Sequence, residues 1–162
     1  MSKTIYIMCG PPGGGKSFEI QVMTSILRDE GLGYKIVSRD AIRFAMLKDG
    51  EDYFKYENEV FNQFINQIND ALASESCSYI FIDATHLNEK SRNKTLDRLH
   101  LTEDTIIIPI SVRPPLDQCI EQNNRRTGRA LVPESVIRKM YESYKAPTYQ
   151  EKYNYHYIIH KG

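Results

Sequence analysis

Hydrophobic positions along the chain alternate between strand-like and helix-like patterns. The strand-like runs are β-branched or continuously apolar, and they cover residues 3–9, 34–38, 79–83, 105–112 and 155–159. Apolar positions at helical spacing predict helices over residues 16–30, 40–47, 54–74, 115–124 and 133–145. Strands that alternate with helices predict an α/β fold, with a mainly parallel central sheet of about five strands and helices on both faces. Pro109, inside the fourth predicted strand, indicates a bulge or an edge position.

Composition and charge limit the class of protein. The chain has 162 residues, of which 41% are hydrophobic, so we expect one well-cored domain over residues 1–162. Basic and acidic residues balance at 21 each, so no overall field predicts a nucleic-acid or membrane partner. Cys9, Cys77 and Cys119 lie in or beside apolar segments and are predicted to be buried free thiols of a reducing compartment. Without a signal peptide or an apolar stretch of roughly 18 residues, we expect a cytoplasmic protein.

The segment between the first strand and the first helix matches the pattern G-x-x-x-x-G-K-[ST]. It reads Gly10-Pro11-Pro12-Gly13-Gly14-Gly15-Lys16-Ser17. The backbone N–H groups of such a P-loop wrap the phosphates of a nucleoside triphosphate, and the following helix directs its N-terminus at the anion. Lys16 is expected to reach the β/γ-phosphates, and the Ser17 hydroxyl to hold Mg²⁺. The sequence therefore predicts that the chain binds ATP, or another nucleoside triphosphate, with Mg²⁺.

Two aspartates follow strand patterns, at the end of a parallel sheet where ligands bind. Asp83 is predicted to act on Mg²⁺ directly or through water, and its alternative role is to cap the turn after the strand. Asp40 opens a helix, and Arg43 shares its helix face. One interpretation is an N-cap with a surface ion pair; the other is a general base beside a phosphate-binding arginine. Spacing alone does not decide between them.

A short cationic segment lies between the last two predicted helices. It contains Arg125, Arg126 and Arg129 and has no acidic residue inside it. A cationic element that faces a P-loop forms a lid, here at about residues 122–132, and supplies positive charge for phosphoryl transfer. The alternative interpretation is solvated surface charge.

Four segments together resemble the kinase domain of the bacteriophage-type polynucleotide 5′-hydroxyl-kinase family. They are residues 10–17, 38–43, 82–88 and 123–137. The patterns Arg39-Asp40-x-x-Arg43 and Asp83-x-Thr85-x-Leu87-Asn88 are more specific than the P-loop, which many kinases share. The resemblance implies a P-loop kinase fold, ATP-dependent transfer of the γ-phosphate to the 5′-OH end of DNA or RNA, and a role in nucleic-acid repair.

The resemblance also implies roles for individual residues. Asp40 would be the general base that deprotonates the 5′-hydroxyl. Arg43 would bind the 3′-phosphate of the terminal nucleotide or the transferring phosphoryl group. Asp83 and Thr85 would line the acceptor site or the metal site.

The lid and one strand end depart from the family pattern. The lid arginine on the donor phosphates would be Arg126, with Arg125 and Arg129 nearby, but Gln122 stands where a phosphate-binding arginine is common. His86 replaces an asparagine, and the phosphatase motif Asp-x-Asp-Gly-Thr of several family members does not occur. Two alternatives to the polynucleotide kinase stay open. One is a kinase for a small molecule, a nucleoside or a tRNA-linked hydroxyl, and the other is a nucleotide-binding regulator that is not a kinase.

Overall fold

The computed structural model describes residues 2–127, 131–148, 150, 151, 153 and 157–159. Five strands form one sheet: β1 (Thr4–Cys9), β2 (Tyr34–Ser38), β3 (Tyr79–Asp83), β4 (Ile106–Val112) and β5 (Tyr157–Ile159). Their order across the sheet is β2-β3-β1-β4-β5, and every pair is parallel. The predicted parallel α/β architecture is confirmed. Because β2, β3 and β1 are neighbours, the residues that follow them meet at the same edge of the sheet.

Six helices connect the strands. They are α1 (Lys16–Asp29), α2 (Arg39–Met46), α3 (Glu57–Ala73), α4 (Glu89–Leu96), α5 (Leu116–Asn124) and α6 (Glu134–Ser143). The bounds agree with the predicted helices to within a few residues, except that α4 was not predicted.

The pattern of hydrophobic positions does not predict helix α4, because the sequence of this helix is almost entirely polar. A capping box sets its start: the Asn88 side chain accepts a hydrogen bond from Ser91 N at 2.8 Å, and the Ser91 hydroxyl accepts one from Asn88 N at 3.2 Å. The side chains that α4 buries are Arg92 and Thr95 rather than an apolar stripe. The signals in the sequence that indicate this helix are the cap, the acidic Glu89 in its first turn and the basic Lys94 in its last turn.

The two faces of the sheet are covered by different helices. Ile5 of β1 belongs to a cluster with α3, in which Phe64 and Ile68 are fully buried. Met8, on the opposite face of β1, packs with Ile20 of α1. The alternation of side chains along β1 thus gives one sheet two apolar cores, as the sequence predicts for helices on both faces.

Pro109 lies in a regular part of the sheet. Its strand, β4, pairs with β1 in unbroken register from Ile106 to Ser111, with Pro109 opposite Ile7. The predicted bulge is therefore wrong. β4 lies between β1 and β5, but its pairing with the described part of β5 starts at Ile110, after the proline. Proline has no backbone N–H to donate, and Pro109 lies just before the first described residue pair between β4 and β5.

A buried ion pair ties the C-terminal segment to α4. Arg92, which is 1% exposed, donates from Nε and Nη2 to the two carboxylate oxygens of Glu151 at 2.8 and 3.0 Å. Its Nη1 donates to the carbonyl oxygens of His86 and Lys145, both at 2.9 Å. These bonds satisfy the buried guanidinium and fix the chain that follows β3.

The three cysteines are buried and free, as predicted. Burial raises the pKa of the Cys9 thiol to about 12. Among the described residues, no helix combines the length and apolar character that crossing a bilayer requires.

Candidate active site

The P-loop backbone packs so closely against other backbone segments that it requires glycine at specific positions. Gly10 has φ 153°, and a Cβ there would lie 2.0 Å from the carbonyl oxygen of Val112. Gly13 has φ 73°, and its Cβ would lie 2.4 Å from the carbonyl oxygen of Cys119. Only glycine fits such contacts with backbone atoms, so this pattern of glycines is dictated by sterics.

The start of α1 leaves donors available to an anion. Its N-cap is Gly15, which has no side chain to cap the first turn. The N–H groups of the first turn of a helix have no partner within the helix, so they can receive a phosphate group. Lys16 is buried and donates from Nζ to the carbonyl oxygens of Gly10 at 2.9 Å and Pro11 at 2.8 Å. Burial lowers the pKa of Lys16, which the nearby Asp83 carboxylate opposes.

Ser17 and Asp83 meet although they lie 66 residues apart in the sequence. The Ser17 hydroxyl donates to Asp83 Oδ2 at 3.4 Å. Burial raises the pKa of Asp83, and Lys16 and the Ser17 hydroxyl oppose that rise. A hydroxyl and a poorly solvated carboxylate at a phosphate cradle are the hard oxygen donors that Mg²⁺ takes, so the residues present fit this ion. Among the described residues, no three His, Cys, Asp or Glu side chains gather as an all-protein metal site.

Asp40 does not cap α2. The N-cap is Ser38, whose hydroxyl accepts a hydrogen bond from Ala41 N at 3.1 Å. Asp40 instead forms an ion pair with Arg43 and accepts a hydrogen bond from the Tyr53 hydroxyl at 3.0 Å. The capping interpretation of Asp40 is therefore wrong, and its side chain is 41% exposed.

Arg43 is enclosed by protein groups. Its side chain is 7% exposed and stacks on the Tyr53 ring, with Cζ 4.5 Å from the ring centroid. Nη1 donates to the Tyr53 hydroxyl at 2.9 Å, and Nε donates to Glu57 Oε1 at 2.7 Å. Glu57 also binds Arg39 Nη2 at 3.1 Å. Arg43, predicted to bind substrate phosphate, is thus engaged with Asp40, Tyr53 and Glu57.

Two cavities adjoin at Asp40. The first, of about 440 Å³, is lined by the P-loop from Pro12 to Ser17, by Asp83, and by the start of α2. The second, of about 160 Å³, is lined by residues that include Arg39, Arg43, Tyr53 and Thr85. Asp40 belongs to the walls of both.

The lid residues separate into two groups. Arg126 and Gln122 line the larger cavity, and the charge of Arg126 acts on both Lys16 and Asp83. Arg125 points elsewhere, because it pairs with Glu121 at 2.7 Å on the surface, where its side chain is 73% exposed. Arg129 lies outside the described residues.

The segment after β3 connects the P-loop to the core. The Thr85 carbonyl oxygen accepts a hydrogen bond from Gly10 N at 2.8 Å, which joins this segment to the P-loop. His86 is 3% exposed, with φ 42°, and its ring nitrogens contact the Met8 carbonyl oxygen at 2.9 Å and the Thr95 hydroxyl at 3.1 Å. Burial lowers the pKa of His86 to about 4, so the ring is neutral. The departure at His86 therefore concerns the core beneath the loop and not the cavity.

Several site residues were missed by sequence reasoning. They are Phe18 and Phe44 in the larger cavity, and Arg39, Tyr53 and Glu57 around Asp40. Tyr53 and Glu57 lie in the break after α2 and at the start of α3, where no motif marks them. Only Arg39 had a signal, because it precedes Asp40 in the Arg-Asp-x-x-Arg pattern.

Solved structures share this fold. A chain of the Pnkp1/Rnl/Hen1 RNA repair complex has a TM-score of 0.67 and 22% identity, over 87% of this chain and 43% of that chain. A fungal RNA kinase has a TM-score of 0.63 and 13% identity, over 99% of this chain and 38% of that one. A sugar kinase from Janibacter sp. HTCC2649 has a TM-score of 0.60 and 12% identity, over 99% and 86%. The chain thus spans less than half the length of the two RNA-related proteins.

Sequence relationships identify the family. No curated protein matches the chain at the level of sequence. The sequence profile of a family described as an AAA domain matches residues 5–147, which include the P-loop, Asp40, Asp83 and Arg126. The chain therefore belongs to this AAA domain family, and its fold is that of the P-loop kinases.

Proposed function

We propose that this chain is an ATP-dependent kinase that transfers the γ-phosphate to the 5′-hydroxyl end of a DNA or RNA strand. One observation carries the proposal: Asp40 lines both the cavity of the P-loop and the smaller cavity beside it. A carboxylate at the edge of a phosphate cradle is positioned to take the proton of a hydroxyl that attacks the γ-phosphate there.

On the donor side, the P-loop N–H groups and the start of α1 hold the triphosphate. Ser17 and Asp83 would hold Mg²⁺, which, when bound, supplies positive charge to the phosphate oxygens. Lys16 contributes a charged donor once it turns from the carbonyl groups of Gly10 and Pro11 to the phosphates. Arg126, from the lid side of the same cavity, adds a second cation where charge develops in the transition state.

On the acceptor side, Asp40 is the general base. Arg43 and Tyr53 both contact its Oδ1, and among the described residues no side chain binds Oδ2. Oδ2 accepts the proton of the 5′-hydroxyl as that oxygen attacks the γ-phosphorus in line with the leaving group. General-base assistance of this kind accelerates transfer by roughly 10²- to 10⁴-fold.

The choice of a polynucleotide acceptor rests on motifs and on structural kinship. The Arg39-Asp40-x-x-Arg43 and Asp83-x-Thr85 patterns resemble the bacteriophage-type polynucleotide kinases. Two of the similar structures are an RNA repair complex and an RNA kinase. At their low identities they support the kinase fold, and the acceptor itself is our proposal.

The test compares Asp40→Asn with the wild type, with labelled ATP and a 5′-OH oligonucleotide. We expect a loss of at least 100-fold in transfer with nearly unchanged ATP affinity, because asparagine keeps the size of the side chain but does not take the proton. Asp117→Asn is the matched control, since Asp117 also lies in the first turn of a helix and lines neither cavity. Near-normal transfer by Asp40→Asn would remove Asp40 from the mechanism.

A small-molecule kinase is the second candidate. It is favoured by the match to the sugar kinase, which extends over 86% of that chain and leaves little of it unmatched. A panel of acceptors separates the two candidates: 5′-OH oligonucleotides, free nucleosides and sugars. Phosphorylation of sugars alone would replace our proposal, and slow hydrolysis that no acceptor stimulates would indicate a regulator instead.

A further inference from the structure

The mouth of the larger cavity exposes an aromatic side chain that the phosphate chemistry does not use. Phe18 follows Ser17 directly and is 59% exposed, yet it lines the cavity that holds Asp40. It lies in the first turn of α1, directly after the last residue of the P-loop, so it stands beside the phosphate cradle.

Helix α2 presents apolar groups to the same cavity. Phe44 lies three residues after Ala41 and four after Asp40, so it is a neighbour of both on the helix surface, and all three residues line the cavity. The Phe44 ring packs edge-on against Tyr53, with centroids 6.2 Å apart. Tyr53 is itself held by its bonds to Asp40 and Arg43, so the Phe44 ring has a fixed support.

The α2 side of the larger cavity provides few hydrogen-bonding groups for a sugar. Sites that select sugars hydrogen-bond their hydroxyls through polar side chains. Ser38, just before α2, already accepts a hydrogen bond from Ala41 N, and the α2 groups at the cavity are the Ala41 methyl, the Phe44 ring and the proposed base. The polar side chains of the cavity, such as Gln122, come from other segments. A flat apolar ring system matches this surface better, because any nucleobase can stack on an aromatic face.

We infer that Phe18 and Phe44 form a stacking site for the nucleobase of the 5′-terminal nucleotide, and that they select nucleoside-containing acceptors over sugars. The inference rests on the proposed function and deepens it. Asp40 and Phe44 are four residues apart, about 6 Å along the helix axis, so a nucleotide whose base stacks on Phe44 can bring its own 5′-hydroxyl to Asp40. These two rings determine specificity, and Asp40 performs the proton transfer.

The experiment compares two 5′-OH oligonucleotides that differ only at the first nucleotide, one normal and one abasic. Stacking on an aromatic ring contributes roughly a 5- to 100-fold change in affinity. We therefore expect Phe18→Ala to raise KM for the normal strand within that range and to leave KM for the abasic strand and for ATP unchanged. Ile26→Ala is the control, because Ile26 is a similarly exposed apolar residue of α1 that does not line the cavity.

The same change in KM for both strands, or an increase in KM for ATP, would overturn the inference. A second measurement keeps the test independent of transfer: quenching of 2-aminopurine riboside fluorescence, with the donor site saturated by a non-hydrolysable ATP analogue. If no strand is phosphorylated but the wild type quenches and Phe18→Ala does not, the stacking site stands and the proposed function fails. If strands are phosphorylated and neither protein quenches, the proposed function stands and the stacking site is wrong.

Discussion

The sides of the cavity that we propose for the phosphate donor and for the acceptor, here called the donor side and the acceptor side, are built in different ways. Eight consecutive residues, 10–17, make the donor cradle, and its shape depends on backbone contacts such as the bond from Gly10 N to the Thr85 carbonyl oxygen. The acceptor side is assembled from α2, the segment before α3 and the start of α3, and its contacts join side chains.

This difference has a functional consequence. A site made by the backbone binds a constant group, the triphosphate, and tolerates few substitutions. A site made by side chains can change its acceptor by single substitutions without loss of the fold. Within this family we therefore expect the donor side to limit whether transfer occurs, and the acceptor side to decide what receives the phosphate.

Gly10→Ala tests the donor side with the largest expected effect. Its methyl group would lie 2.0 Å from the Val112 carbonyl oxygen, so the loop must open and ATP binding is lost. Thermal unfolding with and without ATP and Mg²⁺ measures this as loss of the ATP-induced rise in Tm. Gly31→Ala is the control: its φ is 71°, but apart from its chain neighbours no atom of the described residues lies within 4 Å of the new methyl group. That variant costs about 1 kcal/mol and keeps the ATP-induced rise. An intact rise in Gly10→Ala would show that the loop is not constrained as described.

Arg126→Gln comes next and tests the lid. The substitution removes a cation from the larger cavity, and we expect kcat to fall by roughly 10²- to 10³-fold. Arg125→Gln removes the same charge from a residue that pairs with Glu121 at the surface, so it should change kcat less than about 3-fold. Steady-state kinetics with labelled ATP measure both. Equal losses would indicate that the lid closes in a way that brings Arg125 to the phosphates.

Arg43→Lys tests the acceptor side and separates two roles for this arginine. Lysine keeps the charge but loses the planar contacts with Asp40, Tyr53 and Glu57, so Asp40 is held less well. We expect kcat to fall roughly 10- to 100-fold while KM for the acceptor changes little. A raised KM at unchanged kcat would contradict this and restore the role predicted from the sequence, direct binding of substrate phosphate.

Lowering the pH should destabilise the folded chain through His86, which is buried beneath the P-loop. The pKa of His86 is about 4 in the folded chain, lowered by burial and by nearby cations, against about 6.5 when unfolded. The unfolded state therefore binds the proton first, and the free energy of unfolding should fall by about 3 kcal/mol as pH drops from 6.5 to 4. Urea unfolding of the wild type and of His86→Gln at several pH values measures this. The same pH dependence in both proteins would exclude His86 as its source.

Much of the fold could be predicted because the pattern of hydrophobic positions carries it. The buried runs of β1 and β3 and the apolar stripe of α3 are local features, and the strands and helices that they predict are present. Helix α4 could not be found in this way, since its buried side chains are Arg92 and Thr95. Arg92 is buried against Glu151, and Thr95 against His86. The periodicity of hydrophobic positions does not reveal such polar partners.

By itself, the sequence determined the donor cradle, because a phosphate site made by consecutive backbone groups leaves its mark in consecutive residues. It also indicated that Asp40 and Asp83 each lie at the end of a strand pattern, whereas the structure shows that these two strands are neighbours. Only the tertiary structure decided that Arg43 is enclosed by Tyr53 and Glu57, that Arg125 turns to the surface, and that Phe18 faces the cavity. The physical reason is that a side chain's role depends on its partners in space, and these partners come from separate segments that only folding brings together.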